Sequence, residues 1–91
     1  MATTLTKRGI EIFTKTDCVW CVKAKELMKN LSLNYTEYKL GTDYQKEDLQ
    51  ELLGKEKRLT VPQIYVNGYL VGGYEDFAQY AEEVGIMGLQ S

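Results

Sequence analysis

The only two cysteines of this chain stand three positions apart, in Cys18-Val19-Trp20-Cys21, where a strand-like run gives way to a helical pattern. The run before them, Ile10-Glu11-Ile12-Phe13, has the apolar character of a short strand, and the residues after Cys21 repeat with helical spacing. A strand that feeds directly into a helix restricts the chain to folds in which helices pack on a sheet. Two thiols at this separation can also close a small disulfide ring and reopen it, a two-electron redox switch made from four residues. Other uses of the pair fit less well. Zinc needs four ligands, and the chain has no histidine and no third cysteine. As a staple the ring would close almost no loop, so it would add little stability. Redox exchange is the reading the cysteine arithmetic supports.

Composition narrows the setting. Ninety-one residues, 44% of them hydrophobic, suffice for one domain spanning 1–91 with a single modest core. Eleven basic and thirteen acidic residues leave a net charge of −2 with no block of one sign, so no nucleic-acid partner is expected. Met1 to Gly9 is polar and lacks the apolar region of a secretory signal. No apolar stretch approaches the ~20 residues of a bilayer span, so no membrane association is expected. Two cysteines without a signal favour a reducing, cytoplasmic location.

The pass along the chain yields seven elements. Gly9 to Thr14 reads as the first strand, with Ile10 and Ile12 on one face. Ala24, Leu27, Met28 and Leu31 form one helical stripe, with Lys23, Lys25, Glu26 and Lys29 on the solvent side. Asn34 to Leu40 alternates and is rich in β-formers, a second strand. Thr42 followed by Gln45 is a capping-box signal for a helix to about Leu53, with Leu49, Leu52 and Leu53 inward and Gly54 as its stop. Lys55 to Arg58 is then a solvated loop. Gln63 to Val66 and Tyr69 to Val71 flank Asn67-Gly68, which fits a two-residue type I′ hairpin turn. Glu75 and Asp76 favour a last helix start, with Phe77, Tyr80, Ala81 and Val84 as its stripe, Gly85 as its end and a loose six-residue tail. The order β-α-β-α-β-β-α requires a right-handed crossover between two parallel strands, with the hairpin adding antiparallel ones. The expected class is α/β: a thioredoxin-like fold with a four-stranded mixed sheet flanked by three helices.

Within that fold Cys18 sits at the strand-to-helix junction and Cys21 one turn inside the helix. Unpaired N–H groups and the dipole at a helix N-terminus favour a thiolate and lower such cysteines to pKa values of ~3.5–7.5. Lys15 adds positive charge, and Asp17 opposes it unless its carboxylate caps the helix. Cys18 is therefore the expected nucleophile and Cys21 the resolving thiol. Thr60-Val61-Pro62 contains the only proline, at a strand start, and spacing alone leaves its peptide bond cis or trans. In Gly72-Gly73-Tyr74-Glu75-Asp76, paired glycines allow close approach of a ligand, and the helix N-terminus offers N–H groups to a carboxylate. A flexible strand-to-helix turn explains the same residues equally well.

Together these stretches resemble the glutaredoxin family over nearly the whole chain. Lys15-Thr16-Asp17-Cys18-Val19-Trp20-Cys21 is similar to its Lys-x-x-Cys-Pro-Tyr-Cys active site, Thr60-Val61-Pro62 is identical to its Thr-Val-Pro signature, and Gly72 to Asp76 resembles Gly-Gly-x-x-Asp. The resemblance implies a glutathione-disulfide oxidoreductase that reduces protein disulfides and glutathione mixed disulfides through Cys18 and Cys21. Glutathione would be its reducing cosubstrate, and ribonucleotide reductase a possible protein substrate.

It further implies that Pro62 is cis and presents the backbone of Val61, beside Thr60, to the glutathione cysteine. Lys15 would lie near the glycine carboxylate and Trp20 beside the peptide. Gly73, Tyr74, Glu75 and Asp76 would hold the γ-glutamyl end, and Arg58 is a weaker candidate for the glycine end. A monomer without a metal site is expected. Val19 in place of the family's proline frees an N–H close to Cys18, and Trp20 replaces tyrosine. Three rivals stay open: the same chemistry fed by thioredoxin reductase, a glutathione-ligated [2Fe–2S] carrier, and a partner-binding protein with an inert pair.

Overall fold

The computed structural model describes residues 9–90, with side chains described as far as residue 83. Seven elements follow one another: β1 (Ile10–Thr14), α1 (Val19–Asn30), β2 (Tyr35–Lys39), α2 (Lys46–Leu53), β3 (Gln63–Val66), β4 (Tyr69–Gly72) and α3 (Tyr74–Gln90). The four strands form one sheet in the order β2-β1-β3-β4. β1 runs parallel to β2 and antiparallel to β3, and β3 runs antiparallel to β4. The expected mixed sheet and three helices are thus present. No helix among the described residues is long and apolar enough to cross a membrane.

All five residues of β1 are buried, because helices cover both faces of the sheet. Strand side chains alternate between faces. Ile10 and Ile12 join Ala24, Met28, Leu33, Ile64, Val66 and Phe77 in a core beneath α1 and α3. Phe13 points the other way, into a second cluster with Tyr44, Leu49, Leu53 and Tyr65 beneath α2. There its ring stands edge-on to Tyr44 and Tyr65, at centroid distances of 5.1 and 5.9 Å, and tilted against Tyr38 at 5.0 Å. Aromatic pairs in such geometries add about 0.5–1.5 kcal/mol each beyond their burial. The stripe on α1 lies as expected, with Ala24 and Met28 buried and Leu27 and Leu31 packed against the core.

Two boundaries differ from the sequence reading. The capping box of α2 is Gln45 with Asp48, three residues later than Thr42 with Gln45, and the Gln45 N–H donates to Asp48 Oδ2 at 2.9 Å. Residues 41–44 are committed elsewhere. The Thr42 and Asp43 N–H groups bond the Lys39 carbonyl, Leu40 and Tyr44 form an isolated bridge, and the Tyr44 hydroxyl donates to the Thr14 carbonyl at 2.9 Å. The helix begins only once the chain is released from the sheet.

α3 passes through Gly85 and runs to Gln90, where a stop and a loose tail were expected. A glycine ends a helix only if it turns left-handed; inside one it costs about 1 kcal/mol relative to alanine without breaking the helix. The Val84 side chain, the final Ser91 and the polar leader Met1 to Arg8 lie outside the described residues. The hairpin turn is as read: Asn67 and Gly68 have φ of 52° and 85°, both left-handed as type I′ requires.

Removing the Phe13 ring should leave the aromatic cluster without its centre. Phe13→Ala is expected to lower stability by about 3–5 kcal/mol, read as a drop in the urea midpoint; a midpoint within error of the parent would mean the cluster is not packed as described. Alkaline titration tests the same layer. Burial pushes the Tyr44 phenol up to about 12, and burial followed by the hydrogen bond to Glu11 and the charges of Glu11 and Asp43 does the same for Tyr38. These folded-state values lie above the unfolded value of about 10. The stabilisation is therefore complete below pH ~10 and is lost as pH rises toward about 12. Phenolate absorbance should show a late-ionising fraction that appears together with loss of circular dichroism.

Candidate active site

The end of β1 delivers the chain to Cys18, which is the N-cap residue of α1, with extended backbone angles. Its sulfur accepts the Cys21 N–H at 3.1 Å, taking the position that a serine or aspartate oxygen fills in ordinary caps. Cys18 and Cys21 are joined as a disulfide, with Cα atoms 5.2 Å apart. The cap that sequence reasoning allowed Asp17 is therefore made by the Cys18 sulfur itself. Asp17 has φ of 59°, turning the chain sharply between strand and helix. Cys21, one turn in, is 2% exposed, whereas Cys18 is half-buried. A sulfur at the open end of the helix and one beneath it have unequal access. That inequality suits the first for attack from solvent and the second for resolution.

The Val61–Pro62 bond is cis. The Val61 carbonyl oxygen lies 3.8 Å from Cys18 Sγ, so this loop forms the wall facing the nucleophile. Gln63, a residue that sequence reasoning passed over, holds the loop. Its side-chain amide donates to the Thr60 carbonyl at 2.8 Å and to the Thr60 hydroxyl at 3.2 Å. The available signal was a glutamine at the head of an otherwise apolar strand, where a buried amide needs partners.

Gly73 precedes α3, and its N–H donates to Asp76 Oδ2 at 3.2 Å. Gly72 has φ of 126°, and a Cβ there would fall 2.8 Å from the Asp76 carboxyl carbon. Glycine is required on both counts. The Phe77 N–H bonds the Gly73 carbonyl at 2.9 Å, and the N–H groups before it have no partner within the helix, as at any helix start.

These pieces meet in one groove of about 270 Å³, walled by Trp20, Thr60, Val61, Pro62, Gly73, Tyr74, Glu75 and Asp76. Trp20, half-exposed, leans on Tyr74 with centroids 5.6 Å apart, while Lys23 Nζ stands 5.3 Å from the centre of its ring. Both contacts orient the indole. Every candidate ligand-binding residue lines this groove except Lys15 and Arg58. Lys15 instead lines an adjoining apolar pocket of about 160 Å³ that shares Thr60 and Val61 with it. Arg58 lines a third depression together with Thr60, Gly72, Gly73 and Asp76.

A capping thiolate gains from the helix dipole and from a hydrogen bond to its charged form. In the reduced protein Cys18 should alkylate with iodoacetamide along a pH profile whose midpoint lies well below the ~8.5 of a free thiol, within ~3.5–7.5. Cys21 should stay nearly unreactive at pH 7. A midpoint at or above that of a free thiol would remove the argument from the helix end.

Comparison with known proteins places this geometry. The glutaredoxin family model matches residues 10–71, more than half of the chain. Glutaredoxin 1 of Escherichia coli is 38% identical over 78 residues, which cover 79% of this chain and 91% of that protein. A structure of reduced Escherichia coli glutaredoxin, 38% identical, matches with a TM-score of 0.69 over 82% of this chain and 94% of that one. Hybrid peroxiredoxin hyPrx5 of Haemophilus influenzae is 36% identical over 74 residues, 81% of this chain but 30% of that protein; the chain spans less than a third of that relative. In fold, a buckwheat glutaredoxin solved as a complex with glutathione matches with a TM-score of 0.76 at 22% identity, covering 98% of this chain and 80% of that one. With the Cys18–Cys21 pair heading α1 and the matched region running from β1 into β4, this chain belongs to the glutaredoxin family and is a thiol-disulfide oxidoreductase.

Proposed function

We propose that this glutaredoxin draws its electrons from glutathione, acts in a reducing cytoplasmic setting, and reduces protein disulfides and glutathione mixed disulfides. The observation that carries the reading is the single groove beside the disulfide that unites Trp20, Thr60–Pro62 and Gly73–Asp76. Its chemistry matches a tripeptide thiol. The first turn of α3 offers N–H groups to a carboxylate, the Asp76 carboxylate suits an α-ammonium, and the Thr60–Val61 backbone suits pairing with a peptide. Lys15 borders the adjoining pocket, within reach of a second carboxylate at the other end. A protein of the same fold, the buckwheat glutaredoxin, was solved with glutathione.

In the proposed cycle the Cys18 thiolate attacks a substrate disulfide and releases one substrate thiol. Cys21 attacks the Cys18 sulfur, frees the second thiol and leaves Cys18–Cys21 oxidised. Glutathione then opens that bond, forming Cys18–S–S–glutathione and the Cys21 thiol. A second glutathione takes up its partner as glutathione disulfide and returns the dithiol. With glutathionylated substrates Cys18 alone takes the glutathionyl group. Disulfide-forming enzymes such as ribonucleotide reductase are candidate acceptors.

A coupled assay with glutathione, glutathione reductase and a glutathione mixed disulfide tests the proposal. Turnover is expected, lost in Cys18→Ser and retained in Cys21→Ser. Asp76→Asn keeps an acceptor for the Gly73 N–H and removes the charge. It should raise KM for the mixed disulfide roughly tenfold, as loss of one charge-assisted bond implies. Turnover with thioredoxin reductase alone, and none with glutathione, would sink the proposal.

A further inference from the structure

The proposed glutathione groove uses one flank of the cysteine pair, between α1 and α3. On the other flank, toward β2, lies a second groove of about 460 Å³ whose walls include Cys18, Cys21, Lys25 and Glu37. Lys25 follows Cys21 by four positions, so the two project from one face of α1. Lys25 Nζ lies 3.0 Å from Glu37 Oε2, and the Thr14 hydroxyl donates to the same oxygen at 2.6 Å. Both charged side chains are largely covered, with 27% and 29% of their surface exposed. An ion pair tied to the buried end of β1 and placed beside the inner thiol is more than a solvated surface bridge.

Resolution needs Cys21 as a thiolate, and its burial works against that form. The charges around it decide how far. We propose that Lys25 and Glu37, held by Thr14, are positioning residues that set the protonation of the resolving Cys21. The Lys25 ammonium favours the thiolate, and the Glu37 carboxylate restrains that effect and fixes the ammonium in place. Burial alone would raise the Glu37 carboxyl. The Thr14 bond, the bond and charge of Lys25 and the charge of Lys39 outweigh it and hold the group below its ordinary value, so the Glu37 carboxylate is ionised at neutral pH. The other charged groups on this groove are Lys15 and Asp17, from the loop before α1, and Lys39 of β2.

The step itself is balanced. Cys21 loses its proton to water in the groove and attacks the Cys18 sulfur of the mixed disulfide. The Cys18–Cys21 bond forms as the bond to the substrate sulfur breaks. The departing thiolate takes a proton from water. The inference rests on dithiol exchange and is independent of glutathione as the reductant, so its test contains none.

The reduced protein is mixed with an aromatic disulfide whose nitrothiobenzoate leaving group is coloured. The first release reports attack by Cys18 and the second reports resolution by Cys21. The pH midpoint of the second phase is the readout. Glu37→Gln should move it down and Lys25→Met should move it up, each changing the thiolate fraction roughly two- to fivefold, the scale of a partly exposed charge pair. The rates will change less, because a more acidic thiol is a weaker nucleophile. The double variant should return near the parent midpoint, and Lys25→Arg, which keeps the charge, should not move it. Equal midpoints in all variants, or shifts of the same sign in both single variants, would overturn the proposal.

Discussion

β1 is paired on both edges and covered on both faces, and the other elements take their places from it. Its period-two alternation sends Ile10 and Ile12 into the core under α1 and α3 and Phe13 into the aromatic cluster under α2. A strand held this way has one register. That register pairs Phe13 with Gln63, which brings Thr60–Pro62 beside the exit of β1, where Cys18 stands. Pairing of Ile64 with Gly72, across the irregularity between Ile64 and Tyr65, brings the start of α3 to the same end of the sheet. Three stretches far apart in the chain thus converge at one end of the sheet. The burial of β1 does the work at a distance.

The division of labour between the two cysteines follows from that placement. Cys18 ends the extended chain and caps the helix, so its sulfur meets an N–H group and the positive end of the dipole while staying open to solvent. Cys21 lies beneath the helix against the core, where a thiolate is disfavoured. Val19 at the first helical position keeps an N–H that proline would lack, so the helix start carries one more donor there. The Lys25–Glu37 pair lies on the other side, against β2, where it can act on the inner thiol without occupying the groove toward α3.

Much of this was legible beforehand. Helix and strand periods, the Asn67-Gly68 turn and the Cys18–Cys21 spacing report local chemistry, in which each residue's neighbours in sequence are also its neighbours in space. The groove residues were legible only in part. Lys15 borders a pocket that adjoins the groove and shares Thr60 and Val61 with it, a division that spacing in the chain does not reveal. Gln63 and the Lys25–Glu37 pair went unseen for a related reason: an amide in a strand or a lysine on a helix reads as unremarkable until its partner from another element is known.

The sequence by itself determined the kind of chemistry and the residues able to carry it. A C-x-x-C at a strand-to-helix junction has few other uses, and caps, turns and stripes are written in local residue types. The tertiary structure alone decided that the cap of α1 is sulfur, where α2 begins and α3 ends, and which charges face Cys21. Each of these depends on long-range register and on layers closing over both faces of one strand, and no window of neighbouring residues contains that information.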